Sequence, residues 1–367
     1  MINLPNYIGL EIEFESTQCN RVYYNENYFK LVRDASVETK IKSIKDIPII
    51  KSAINIDVNK TVLGGEIVLR YPITLDTLSS DDFQYNLSKT LNSLHGEYNS
   101  YRSSIHVHID IKSFDPGIYT FRNIARLMNR YESLIYRLSC MRNEHRGSFN
   151  NFNYYRPYTN KGVACYKVYD SNENDSYYYG QLFNLSRLIK SKTLKEFFSL
   201  YGDSSRNMEW KYHPVRYHGI NLFSYLRHGT IEYRTMNFTS SFIDIMSMVL
   251  FFYYLTSIML SFEYKDIQKL GVNPVNSVFY PNHADNYILL DLILSVIPDK
   301  YAIYKKNIIE LFDKGTYPKL KDLYYKSHMV TKSDRILFMD FPYDKPDKIE
   351  YYDIIEPTFI DIHNVII

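Results

Sequence analysis

An α+β fold, a sheet packed by helices, is predicted by three features of this 367-residue chain. Within segments 9–15 and 104–110, residues 10–15 and 105–110 alternate strictly between apolar and ionisable side chains, the period of a strand with one face in the core. A segment near 119–140 repeats apolar side chains at helical spacing. A third stretch, Ile245 to Phe262, carries no charge over 18 residues.

Taken in order, the first third reads as strands at Tyr7 to Glu15, Leu31 to Val37 and, after Gly64-Gly65, Glu66 to Tyr71. A helix follows over Asp81 to Leu94, where Ser79 and Ser80 supply capping hydroxyls and Asp81 and Asp82 suit the first turn. Ser104 to Lys112 is again a strand. Asp115-Pro116-Gly117 breaks the chain before a helix over Tyr119 to Cys140, whose Phe121, Ile124, Leu127, Met128, Tyr131, Leu134, Ile135 and Leu138 form a face suited to covering a sheet. From Arg142 to Tyr179 the chain is rich in Asn, Tyr, Ser and Gly without a persistent period, the pattern of either a lid or an irregular surface excursion. Strand signals return at Arg216 to Tyr225 and Gly229 to Phe238. Helices are expected at Asn286 to Val296 and Tyr301 to Phe312 before a tail rich in Tyr, Asp and Ile. A domain over 1–270 with a helical extension over 271–367 packed on it accommodates this order, and no internal repeat interrupts it.

Charge sets limits on partners. With 43 basic and 41 acidic side chains, the formal charge of +2 lacks the excess that phosphate-backbone binding needs, so nucleic acid is not an expected partner. Cys19, Cys140 and Cys165 are widely separated and show no CxxC spacing, which suits a reducing compartment. The start MINLPNYIGLEIEFE lacks the basic and apolar regions of a secretory signal, and a cytoplasmic location is expected, the host cytoplasm if the chain is viral. The apolar stretch 245–262 approaches bilayer-spanning length, but its flanks, Asp244 on one side and Glu263, Lys265 and Asp266 on the other, include no basic cluster. A buried core helix, not a membrane span, is the expectation. The 37 tyrosines are spread along the whole chain, as codon bias in an AT-rich genome would produce, and mark no particular surface.

The candidate chemistry lies on the polar faces of the strands. In Gly9-Leu10-Glu11-Ile12-Glu13-Phe14-Glu15, three carboxylates share one face and Leu10, Ile12 and Phe14 the other. Carboxylates one strand period apart repel by about 2–3 kcal/mol at an effective dielectric near 20, and a divalent cation reverses this into attraction. Taken alone, the segment also reads as an edge strand whose glutamates face water. His106, His108 and Asp110 share a face in the same way, and paired histidines taken alone are also read as satisfied polar residues. Glu66 opens a strand, and Glu232 and Arg234 share a face of another. Carboxylate oxygens suit Mg²⁺, an added imidazole also suits Mn²⁺, and arginine offers a planar fork for a phosphoryl or carboxylate group. No P-loop, G-x-G-x-x-G or G-x-S-x-G motif is present, which excludes the common nucleotide-binding and serine-hydrolase signatures.

The ordered set GLEIEFE (9–15), RDASVE (33–38), GGEIV (64–68), HVHID (106–110), RYHGINL (216–222) and GTIEYR (229–234) resembles the amidoligase family of the carboxylate–amine ligase superfamily, which includes glutamine synthetase and the glutamate–cysteine ligases. The resemblance covers roughly residues 7–240. It implies an antiparallel sheet curved around two or more Mg²⁺ ions, with ATP and a carboxylate entering from opposite sides. It implies Glu11, Glu13, Glu66, His106 and Glu232 as metal ligands, Arg234 beside the transferred phosphate, and Arg216 and Asn221 as nucleotide or substrate contacts. Glu13, His108 and Arg234 are the implied catalytic set, with His108 or a carboxylate taking a proton from the amine. The expected activity is ATP- and Mg²⁺-dependent amide formation between a small-molecule or peptide carboxylate and an amine, through an acyl phosphate. The alternatives are a ligase-like scaffold or binding protein without turnover, as in a phage or other virus, and a phosphotransferase on the same site. The chain differs from the family pattern in three places. Ser103-Ser104-Ile105 stands where a small residue and Gly usually precede the His-x-His pair, Ala35 replaces a common Gly, and Thr39 to Val62 reads as an insertion.

Overall fold

The computed structural model describes residues 3–16, 22–33, 63–94, 104–139, 166–169, 175–178, 188–201, 219–263, 266 and 283–315. Strands β1 (Ile8–Ser16), β2 (Phe29–Arg33), β3 (Leu63–Leu69) and β4 (Ser104–Asp110) join β7 (Ile220–Asn221) and β8 (Thr230–Asn237) in one open sheet. Its order is β2-β3-β1-β4-β8-β7, and every neighbouring pair is antiparallel. Among the described residues, strands β5 (Tyr166–Tyr169) and β6 (Asp175–Tyr178) pair with each other alone, inside the segment expected as a lid or excursion. The rest of that segment lies outside the described residues, as do Asp34 to Val37, Arg216, 271–282 and the tail after 315.

The predicted alternation is realised in the packing. Leu10, Ile12 and Phe14 of β1, Ile105, Val107 and Ile109 of β4, and Ile231 and Tyr233 of β8 are buried in a single apolar core. Helices follow as α1 (Leu75–Leu78), α2 (Asp81–Ser93), α3 (Ile118–Ser139), α4 (Leu194–Tyr201), α5 (Ser224–His228), α6 (Phe242–Ser261), α7 (His283–Val296) and α8 (Ala302–Lys314). As expected, α2 is capped by Ser80, whose hydroxyl accepts from the Phe83 amide. Among the described residues, α6 is the one helix long and apolar enough to cross a membrane, and its side chains from Asp244 to Met259 are buried inside the protein. Tyr233 of β8 stacks on Phe252 of α6 at 4.2 Å between ring centroids and places its hydroxyl 2.8 Å from that of Thr256, which pins the sheet to this helix. Helices α7 and α8 pack on α3 and α6 through Arg130–Asp285 and through Asn307, which donates to Asp244 at 2.9 Å.

The strand expected over Arg216 to Tyr225 is corrected by the structure. Its described part pairs only at Ile220 and Asn221, and Ser224–His228 is a short helix. The cause is local: the Asn221 side-chain oxygen accepts from the Phe223 amide at 3.0 Å, a turn that diverts the chain from the ladder. Gly229, at φ 73°, ends the helix in the left-handed region and returns the chain to β8.

A bulge interrupts the pairing of β4 with β8. Ile105 opposes Met236 and Val107 opposes Tyr233, so His106 faces two residues of β8, Arg234 and Thr235.

Candidate functional site

Sheet register assembles the site. Across β1 and β4, Glu11 is opposite His106, and across β1 and β3, Glu13 is opposite Glu66. His108 of β4 and Asn221 of β7 both lie opposite Glu232 of β8. Directly opposed side chains on one face have Cβ atoms about 4.5–5.5 Å apart, so five adjacent strands deliver one continuous polar patch. Gly9 is part of this design: a Cβ there would sit 3.0 Å from the Cβ of His108, its register partner.

The side chains converge as the register requires. His106 Nδ1 lies 3.0 Å from Glu11 Oε2 and 3.8 Å from Glu232 Oε1, and its Nε2 lies 3.7 Å from Glu13 Oε1. His108 Nε2 is 3.2 Å from Glu11 Oε1 and 3.8 Å from Glu232 Oε1, but it makes no aligned hydrogen bond, so these are charge contacts. Its Nδ1 lies 3.1 Å from the Thr230 hydroxyl, with that of Ser224 at 3.4 Å. Arg234 Nη1 donates to Glu232 Oε1, and Asn221 donates to Glu232 Oε2 at 2.6 Å, so Glu232 is held from both sides.

Glu13, His106, His108, Glu232 and Arg234 are buried, whereas the Glu11 side chain keeps 31% of its surface exposed. Burial alone would raise the Glu11 pKa, but His108 and His106 overcome this and hold the carboxyl well below the usual range. Glu232 is lowered despite its burial by Arg234, His108 and His106. Burial would lower His108, but Glu11 and Glu232 prevail and raise it.

Among the described residues, two triplets have the spacing of a cation site: Glu11, Glu66 and His106, and Glu11, His108 and Glu232. In each, one ligand atom per residue lies within 4.8 Å of the others, and Glu11 is common to both. Carboxylate oxygens with one imidazole form a donor set that suits Mg²⁺ or Mn²⁺. Glu13 is in neither triplet. Its Oε2 instead accepts from Ser104.

The structure therefore brings together Glu11, Glu13, Glu66, His106, His108, Asn221, Glu232 and Arg234 from the predicted set, while Arg216 lies outside the described residues. Sequence reasoning missed Ser104, Thr230 and His228. The first two carried a signal, since each stands one strand period before an identified residue, His106 and Glu232. His228 carried none, because its segment read as the approach to a strand. Its ring meets that of His108 edge-on with centroids 6.0 Å apart.

Residues 6–251 match the model of a family described as "putative amidoligase enzyme". A comparison with curated proteins finds no match.

Proposed function

Given that the chain belongs to this amidoligase family, we propose that it is an ATP- and Mg²⁺-dependent carboxylate–amine ligase working through an acyl phosphate. The observation that carries this reading is the convergence on Glu11 of two carboxylate–imidazole triplets, one of which includes the Glu232 that Arg234 holds.

Glu11, Glu66 and His106 would hold Mg²⁺, or Mn²⁺ in its place, and the bound ion supplies charge neutralisation for the triphosphate. A substrate carboxylate oxygen bonds to the γ-phosphorus as the bond to the β–γ bridging oxygen breaks and ADP leaves. Arg234, fixed by Glu232 and next to the patch, sets its guanidinium charge toward the equatorial oxygens of the phosphoryl group. The amine nitrogen then bonds to the acyl carbon, and the bond from that carbon to the phosphate oxygen breaks, releasing inorganic phosphate. His108 Nε2, which makes no aligned hydrogen bond, takes the proton that the ammonium must lose before it attacks. Burial of the patch limits water, which would otherwise hydrolyse the acyl phosphate.

The test is ADP release by the purified protein with ATP and Mg²⁺, with and without pooled amino acids and small peptides, alongside Glu11→Gln. Turnover that requires both a carboxylate and an amine, and that is lost in the variant, is the expected result. A phosphorylated product formed without amine would mean a phosphotransferase, and no turnover with no metal-dependent ATP binding would mean a scaffold.

A further inference from the structure

Ser104 lies on the site face of β4, fully buried, one strand period before His106. Its Oγ is 2.9 Å from His106 Nε2 and donates to Glu13 Oε2. A serine hydroxyl has one proton, and an ionised carboxylate can only accept. With that proton given to Glu13, the oxygen can only accept from the imidazole, so His106 carries a proton on Nε2. In the neutral imidazole that a cation ligand requires, the lone pair is then on Nδ1, the nitrogen 3.0 Å from Glu11 Oε2. Two ligand atoms at right angles, each about 2.1 Å from a shared cation, are about 3.0 Å apart, so this pairing has the separation of neighbouring ligands.

We infer that Ser104 is a positioning residue that, with Glu13 behind it, fixes the tautomer and orientation of His106 so that Nδ1 faces the cation position formed with Glu11 and Glu66. Resting on the proposed metal-dependent function, this moves Glu13 from the ligand set to the end of a relay. The imidazole donates to a hydroxyl that donates to a carboxylate, the kind of outer support that metal-ligating histidines use.

The experiment measures Mn²⁺ affinity by calorimetry for the wild-type protein, Ser104→Ala and Ser104→Thr. In parallel, ¹⁵N-histidine NMR reads the protonated nitrogen of His106 in Cd²⁺-loaded protein. Ser104→Ala is expected to weaken Mn²⁺ binding by about 10-fold or more, with Ser104→Thr recovering most of it. The wild-type NMR should show the proton on Nε2. A proton on Nδ1 in the wild type overturns the inference without any variant having to fold, and so does a folded Ser104→Ala that binds Mn²⁺ as the wild type does. Wild-type protein that binds no Mn²⁺ overturns the metal reading and the relay together, whereas Mn²⁺ binding that is lost in Glu11→Gln and unchanged in Ser104→Ala overturns the relay alone.

Discussion

Between helices α3 and α7, Arg130 meets Asp285 through two parallel contacts, Nε to Oδ2 at 3.1 Å and Nη2 to Oδ1 at 2.5 Å, while Ser133 beside it donates to Asn286 at 3.0 Å. On the sheet, Glu11, Glu13, Glu66 and Glu232 gather beside two imidazoles and the Arg234 guanidinium. Both regions place charge inside the protein. In the helical one each charge is matched by an opposite one in fork geometry, which makes it a structural tie. Among the described residues of the sheet region, carboxylates outnumber the guanidinium, and a divalent cation is the kind of charge that suits such a group. Buried charge thus separates into structure and function by its local balance.

The largest effect expected is on the unbalanced side. Glu11 belongs to both triplets, so Glu11→Gln should reduce Mn²⁺ uptake and ADP formation by at least about 100-fold, beyond the usual 10–100-fold for an outer partner. Its effect on the melting temperature should be smaller than that of Asp285→Ala, and a variant that unfolds instead would show the patch to be structural.

Asp285→Ala is the reciprocal test. Removing one member of a buried pair strands the other, at a cost of about 3–5 kcal/mol by denaturant titration, with Mn²⁺ affinity of the folded protein unchanged. Replacing both Arg130 and Asp285 by apolar residues of similar volume should restore most of the loss. If the double variant is no more stable than the single one, the tie is more than a matched pair.

A smaller change is expected at Gly9. The Cβ of Gly9→Ala would press on His108 at 3.0 Å, costing about 1–3 kcal/mol and weakening Mn²⁺ binding, whereas wild-type stability and affinity would show that the imidazole can give way.

The smallest effect is a pH dependence confined to the sheet. In protein without a cation, His108 has a folded pKa above its unfolded value near 6.5, so its stabilisation is complete below about pH 6.5 and is lost as pH rises through the folded value. Glu11 and Glu232 have folded values below about 4.3, so their contribution is complete above that pH and is lost as pH falls through the folded values. Melting temperature should therefore decline on the alkaline side in metal-free protein, and His108→Gln should flatten that limb. An unchanged limb in His108→Gln would place its origin elsewhere.

Much of the sheet could be read from period alone, because strands with one face in the core must alternate: β1, β4 and β8 fall within a residue or two of their expected spans. The central helices were equally legible, α3 from its spacing and α6 from its uninterrupted apolar run. Local pattern does not encode pairing order. That Glu11 opposes His106, and Glu13 opposes Glu66, depends on β1 lying between β3 and β4, a non-local fact. Helix α5 was missed because the Asn221 side chain, not hydrophobic spacing, turns the chain there. Ser104 shares the face of His106 by period, but the role of its hydroxyl shows only once the pairing of β1 with β4 brings Glu13 beside it.

The bulge in β8 has a bearing on how this chain can vary. Because two residues share the place of one, Thr235 is tied to Ser139 of α3 at 2.7 Å and Met236 returns to the core, while Glu232 and Arg234 stay on the site face. The extra residue acts as a phase shift between the alternation that places Glu232 and Arg234 on the candidate-site face and the alternation that leads into α6. Deleting Thr235 would leave a regular ladder with Met236 still opposite Ile105 on the core side, so what the extra residue adds is the tie from the sheet to Ser139 of α3.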